Sequence, residues 1–199
     1  MEEKKIERIS VFCGSSSGED EIFVKEAYKV GKLLAENGKT VVYGGAKVGL
    51  MGNVANGALE NGGEVVGVIP EFLETKEVSH DGLTELIVVE NMHQRKAVMY
   101  QLCDGIIVLP GGFGTLEEFF EMLTWAQLGM HEKPIAILNT KGFYDHLLAF
   151  FNEMQKQKFI KTTHQKLFIV GKTIPTLLKR MEKYKAPKIK KWISESEES

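Results

Sequence analysis

The densest chemistry in the chain lies between residues 105 and 121. There the apolar run Ile106-Ile107-Val108-Leu109 breaks at Pro110-Gly111-Gly112-Phe113-Gly114-Thr115 and gives way to Glu117, Glu118 and Glu121. The order reads as a strand, a loop and a helix opening at Thr115. Glycines at 111, 112 and 114 let the backbone turn sharply and come close to a ligand, and the free N–H groups of a helix start favour a bound phosphate. Carboxylates in a first turn also complement the helix dipole, so any one of these glutamates has an ordinary structural explanation. A phosphate cradle alone gains nothing from adjacent negative charge. A site that binds phosphate and also performs acid, base or cation-stabilising chemistry uses both.

A cation stands one helix upstream. In Asn91-Met92-His93-Gln94-Arg95-Lys96, Arg95 precedes Met99 by four residues and Leu102 by seven, which places it on the stripe expected to face the sheet. An unpaired guanidinium is costly there. Arg95 therefore pairs with a carboxylate or a ligand phosphate, or reaches around the helix end to solvent. Lys96 points elsewhere, as a surface residue or a second anion contact.

Positioning these groups requires a scaffold, and the pattern along the chain supplies one. Short β-rich runs at 9–13, 40–43, 64–69, 86–89, 105–109, 134–138 and 166–170 alternate with helical patterns at 22–36, 50–60, 93–102, 116–128, 143–155 and 174–184. This alternation predicts an α/β fold: a doubly wound, Rossmann-like parallel sheet covered by helices on both faces, in a single domain. The domain is expected over 1–185, with a charged tail at 186–199. Ligands of such sheets sit beyond the carboxyl ends of the strands. Three glycine-rich loops fall on that edge: Gly14-Ser15-Ser16-Ser17-Gly18, the segment from Gly44 and Gly45 to Gly52, and Pro110 to Thr115. Gly14, Ser15, Gly44 and Gly45 are thereby candidates for phosphate or ribose contacts.

Composition excludes several classes. With 25 basic against 27 acidic residues in 199, the charge balance does not indicate nucleic acid as a partner. No run approaches the ~20 apolar residues that cross a bilayer, and the charged N-terminus has no apolar signal core, so no membrane association is expected. Cys13 and Cys103 are too few for a disulfide framework and read as buried thiols in a reducing, cytoplasmic setting. Gly112-Phe113-Gly114-Thr115-Leu116-Glu117 ends in glutamate where the dinucleotide fingerprint needs glycine, which disfavours a nicotinamide dehydrogenase. Gly171-Lys172-Thr173 ends like a P-loop without its first glycine. The five histidines show no metal-site spacing, and Ser15, Ser16 and Ser17 lack the setting of a serine nucleophile.

Met92-His93-Gln94-Arg95-Lys96, followed by Leu109-Pro110-Gly111-Gly112-Phe113-Gly114-Thr115-Leu116-Glu117-Glu118, resembles the paired signature of the LONELY GUY (LOG) family, the cytokinin riboside 5'-monophosphate phosphoribohydrolases. Phe12-Cys13-Gly14-Ser15-Ser16, Tyr43-Gly44-Gly45, Val48-Gly49-Leu50-Met51-Gly52 and Thr124-Trp125-Ala126-Gln127-Leu128-Gly129 match in order and spacing, and Phe113 stands where many relatives have tyrosine. The resemblance implies hydrolysis of the N-glycosidic bond of a purine nucleoside 5'-monophosphate, with no metal or cofactor, in a homodimer whose site lies near the subunit interface. It implies Arg95 and Glu118 as the catalytic pair, and Glu77, Lys96, Gly112, Phe113, Gly114, Thr115, Leu116, Glu117 and Thr124 as substrate contacts. Helix phase alone does not separate Glu118 from Glu117. The motif does.

Two other readings compete. In one, the same fold is a non-catalytic nucleotide-binding or carrier protein whose glutamates only cap a helix. In the other, the chain is a pyridoxal-phosphate decarboxylase, which needs a buried lysine for a Schiff base; Lys47 and Lys96 are the lysines near the expected pocket.

Overall fold

Seven short apolar strands pair in parallel in the order β4-β3-β2-β1-β5-β6-β7. The computed structural model describes residues 5–74 and 79–188. Its strands are β1 (Arg8–Phe12), β2 (Thr40–Tyr43), β3 (Val65–Pro70), β4 (Glu85–Val89), β5 (Gly105–Val108), β6 (Ile135–Leu138) and β7 (Phe168–Gly171), and its helices are α1 (Glu21–Glu36), α2 (Gly49–Leu59), α3 (Glu71–Glu74), α4 (Met92–Leu102), α5 (Phe113–Gln127), α6 (Asp145–Lys156) and α7 (Ile174–Glu182). The single α/β domain and Rossmann-like sheet expected from the alternation are present. Among the described residues no helix is long and apolar enough to cross a membrane.

Side chains along each strand point alternately to two cores, which is why the strands read as continuous apolar runs. Val11, Tyr43, Ile107 and Leu138 pack with α1, α2 and α7 residues such as Leu34, Val54 and Leu177. Phe12, Val42, Ile106 and Ile137 pack on the other face with Met99, Phe119 and Phe151 of α4, α5 and α6. Both cores are dry. Cys13 and Cys103 are buried free thiols within them.

The chain builds outward from β1 to β4, then returns through α4 to place β5 on the other side of β1, with Ile9 opposite Gly105 and Phe12 opposite Val108. That reversal opens a crevice at the carboxyl ends of β1 and β5. Gly14 donates its N–H to the Pro110 carbonyl at 3.0 Å, so the loops leaving the two strands are stitched together across it. The Gly14 carbonyl in turn accepts from Leu50 N–H at 3.0 Å, drawing the start of α2 to the same point. The three glycine-rich loops share one edge, as the spacing predicts.

Several details differ from the sequence expectation. The helix expected from Thr115 begins at Phe113, because Leu116 N–H already closes the first turn on Gly112 O at 3.1 Å. A 3-10 segment over Thr162–Leu167 replaces the first part of the seventh expected strand. The short α3 was not anticipated. Of the tail expected at 186–199, only 186–188 are described, without regular structure.

Candidate functional site

Two helices deliver the charged groups to the crevice. At the start of α4, Asn91 accepts a hydrogen bond from Gln94 N–H at 3.0 Å, which caps the helix and fixes the phase of Arg95. Asp20 caps α1 in the same way through Ile22 N–H at 3.0 Å. Helix α5 is different. Its N-cap is Gly112, which has no side chain to offer, so the first N–H groups of the helix stay open toward the crevice. A side chain placed on Gly112 or on Gly114 would meet no atom within 4 Å, and Phe113 is 93% exposed. Gly111 is the opposite case. A Cβ there would lie 2.1 Å from Thr115 Oγ1, so the bare backbone lets Thr115 bury itself under the loop.

Inside the crevice is a cavity of about 220 Å³ lined by residues including Cys13, Met51, Met92, Arg95, Thr115, Glu117 and Glu118. Arg95 and Glu118 are both buried, 9% and 7% exposed. Arg95 Nη2 stands 3.7 Å from Glu118 Oε1, an ion pair too long for a hydrogen bond. The other guanidinium atoms fare no better, since Nη1 faces Met92 Sδ at 3.7 Å and the buried Nε has no partner. A buried cation with donors to spare is suited to an anionic or hydroxyl-bearing ligand. Gly44 forms its back wall: a Cβ there would fall 1.7 Å from Arg95 Nη2.

Burial among sulfur and apolar atoms pushes the Glu118 carboxyl up from 4.5 to about 7, with Arg95 pulling the other way and Glu117 adding repulsion. Near neutral pH the group therefore exchanges a proton readily, as an acid or base must. Glu117 is different, being over half exposed and held by Lys96 Nζ at 2.5 Å. Geometry thus separates two glutamates that helix phase could not.

The structure brings together Arg95, Gly112, Phe113, Gly114, Thr115, Glu117, Glu118, Gly14 and Ser15 around this cavity. Other expected residues stand apart. Gly44 supports Arg95 from behind, Gly45 continues that loop, and Leu116 packs into the α5 core. Thr124 is exposed on α5 and lines none of this cavity. Lys96 is neither a surface residue nor a cavity wall: it is buried between Glu117 and Glu121. Glu77 lies outside the described residues. Sequence reading missed Met51, Met92 and Cys13 as lining groups. All three lay within the quoted segments, but nothing distinguishes a lining methionine from a core one before the fold is known.

Two neighbouring spaces complete the region. A chamber of about 300 Å³ shares Gly14, Ser15 and Gly112 with the cavity and is walled by Phe23, Leu50 and Phe143. A larger cleft, about 560 Å³, lies between α1 and the turn after β6, lined by residues such as Lys29, Lys141 and Lys172. It holds neither Arg95 nor Glu118, so size does not mark the site here. Neither lysine considered for a Schiff base is suited to one: Lys47 pairs with Asp81 at 3.6 Å near the surface, and for Lys96 burial, which lowers its pKa, is outweighed by the two carboxylates, which keep it raised.

A family model described as "Possible lysine decarboxylase" matches residues 51–181. A probable cytokinin riboside 5'-monophosphate phosphoribohydrolase of Oryza sativa subsp. japonica is 45% identical over 177 residues, covering 89% of this chain and 79% of that protein. The cytokinin riboside 5'-monophosphate phosphoribohydrolase of Rhodococcoides fascians is 48% identical over 167 residues, 83% of this chain and 84% of its own. Among solved structures, the molybdenum cofactor carrier protein of Chlamydomonas reinhardtii superposes with a TM-score of 0.68 at 20% identity, over 90% of this chain and 98% of that one. The molybdenum cofactor binding protein of Rippkaea orientalis gives 0.65 at 21%, over 90% and 96%. At that identity the likeness concerns the fold.

A raised carboxyl pKa makes the neutral form of Glu118 the one the folded state favours. Its contribution to stability is complete below the ordinary carboxyl pKa and is lost as the pH rises through about 7. The E118Q variant stays neutral and escapes this loss. In urea titrations at about pH 5 and about pH 8, stability relative to the parent should therefore shift in favour of E118Q at the higher pH; an equal difference at both would mean that Glu118 titrates normally.

Proposed function

The chain belongs to the LOG family of cytokinin riboside 5'-monophosphate phosphoribohydrolases, and on that footing we propose that it hydrolyses the N-glycosidic bond of a cytokinin riboside 5'-monophosphate or a related AMP-type purine nucleotide. The products are the free base and ribose 5-phosphate. The observation that carries this reading is the buried Arg95–Glu118 pair beside an open helix N-terminus.

The 5'-phosphate would bind the free N–H groups of Phe113, Gly114 and Thr115, where backbone donors and the helix dipole both favour an anion. Glu118 follows Thr115 by three residues, so its carboxylate lies about one helical turn deeper, ~5 Å, a span comparable with a ribose from its 5'-phosphate to C1'. That places a carboxylate where positive charge develops as the C1'–N bond stretches. In its ionised form Glu118 stabilises the ribosyl cation and takes a proton from the attacking water, whose oxygen forms the new bond to C1'. The base leaves with the bonding electrons and is protonated from solvent. Arg95 keeps part of the Glu118 population ionised and offers its spare donors to the ribose or phosphate. The domain is taken as 1–185, and two buried free thiols fit a cytoplasmic location.

The homodimer is part of the same proposal. Phe113, Phe120, Thr124 and the C-cap Leu128 follow one another at spacings of seven, four and four along α5, forming one exposed stripe that also carries Glu117. A second copy covering this stripe would bury its apolar side chains and bring Thr124 near a substrate.

Incubation with AMP and with isopentenyladenosine monophosphate, followed by chromatography of the products, tests the activity: base and ribose 5-phosphate should appear, and E118Q should lower kcat by about 100-fold or more. Release should rise with pH through about 7, because the base form of Glu118 is required. No product from either nucleotide would leave the carrier reading in possession. In G44A the added methyl displaces Arg95, and kcat/KM should fall by about 10- to 100-fold while the fold persists by circular dichroism. Light scattering should return twice the 22.3 kDa chain mass, and a single-chain mass would remove the dimer.

A further inference from the structure

Three glutamates and two cations meet between α4 and α5, and they pair selectively. Arg95 and Lys96 are adjacent on α4 and diverge by about 100° around its axis, as Glu117 and Glu118 do on α5. Lys96 Nζ lies 2.5 Å from Glu117 Oε1 and 3.1 Å from Glu121 Oε1, carboxylates four residues apart on one stripe of α5. Of the two cations, Arg95 forms the ion pair with Glu118. The Lys96 side chain is 9% exposed and lines no part of the cavity, so its ammonium is committed to protein carboxylates.

The family motif implies a substrate contact at Lys96. The geometry points to another role. We propose that Lys96 is a positioning residue, which acts on Glu118 by tying Glu117 and Glu121 to α4 and offsetting their charge, so that Glu118 is the one glutamate of the three held without a lysine. Without Lys96, the carboxylates of Glu117 beside it and Glu121 one turn on would repel the ionised form of Glu118 with Arg95 alone to offset them. The ionisable groups facing Glu118 are Arg95 and Lys96 from α4, Glu117 and Glu121 from α5, and Cys13 after β1. Cys13 stays neutral, because burial pushes its thiol far up. Lys96 lowers the Glu118 carboxyl whereas Glu117 and Glu121 raise it, so removing either sign of charge should move Glu118 in opposite directions.

This inference rests on the hydrolase reading only for its kinetic arm. The first arm follows Glu118 itself by carboxyl carbon-13 NMR titration, assigned with E118Q. In K96M the midpoint should rise by about half a unit or more, in E117Q it should fall, and K96R should return close to the parent value. A midpoint unmoved in K96M overturns the proposal. Should K96M fail to fold, an unmoved midpoint in E117Q does the same. The second arm measures base release against pH. The rising limb of kcat/KM should shift upward in K96M by the same amount, with KM near the parent value at about pH 9. A raised KM at that pH with the limb unshifted makes Lys96 a substrate contact and overturns the proposal. If the parent releases no base, the hydrolase reading falls while the titration still decides the role of Lys96.

Discussion

A guanidinium buried with too few partners is the constraint on which the site depends. Arg95 sits in a buried wall with a carboxylate at ion-pair distance, a methionine sulfur and an orphaned Nε. Water would solvate these groups better than this pocket does. The protein holds them there through features that tolerate nothing else: a glycine at 44 whose absent side chain makes room for the guanidinium, a capped helix start that fixes its phase, and a strand order that brings α4 over the crevice. The same apolar lining that starves Arg95 of partners raises the Glu118 carboxyl into the neutral range. An anionic or hydroxyl-bearing ligand would supply Arg95 with the partners that the protein leaves out.

Charge sorting is the second theme. Across α4 and α5 the lysine takes the two carboxylates at the rim and the arginine takes the one inside. Lysine is a compact, flexible point charge and serves two acceptors. Arginine has a planar fork with donors left over for a ligand. Interchanging the two would place surplus donors on the rim and a single point charge in the cavity.

The scaffold was legible because its strands carry β-branched residues in compact runs between glycine-rich turns, and Arg95 announced itself as a charge on an apolar stripe. The start of α5 was misplaced because glycine scores poorly in helices, whereas here the first turn is closed by Leu116 N–H on Gly112 O and packed by Thr115 against Gly111. Lys96 was read as pointing to solvent or to a ligand because its partners lie 21 and 25 residues away on another helix, beyond any local pattern. Thr124 shares a helix with Glu118, yet two turns separate a buried position from an exposed one. Met51, Met92 and Cys13 have no chemistry of their own to advertise, and their effect on Glu118 exists only once the cavity closes around them.

The placement of β5 beside β1 has a consequence for how the protein comes into being. The first four strands form one contiguous half of the sheet, β4-β3-β2-β1, and bring two of the glycine loops, but the arginine, the glutamates and the open helix N-terminus all follow in the chain. As synthesis proceeds from the N-terminus, two of the glycine loops emerge before Arg95, the three glutamates and the start of α5. The crevice is complete only with β5 on the edge of β1 and the Gly14–Pro110 bond between their loops. A chain that stops short of β5 therefore carries two of the glycine loops but neither Glu118 nor the open helix N-terminus.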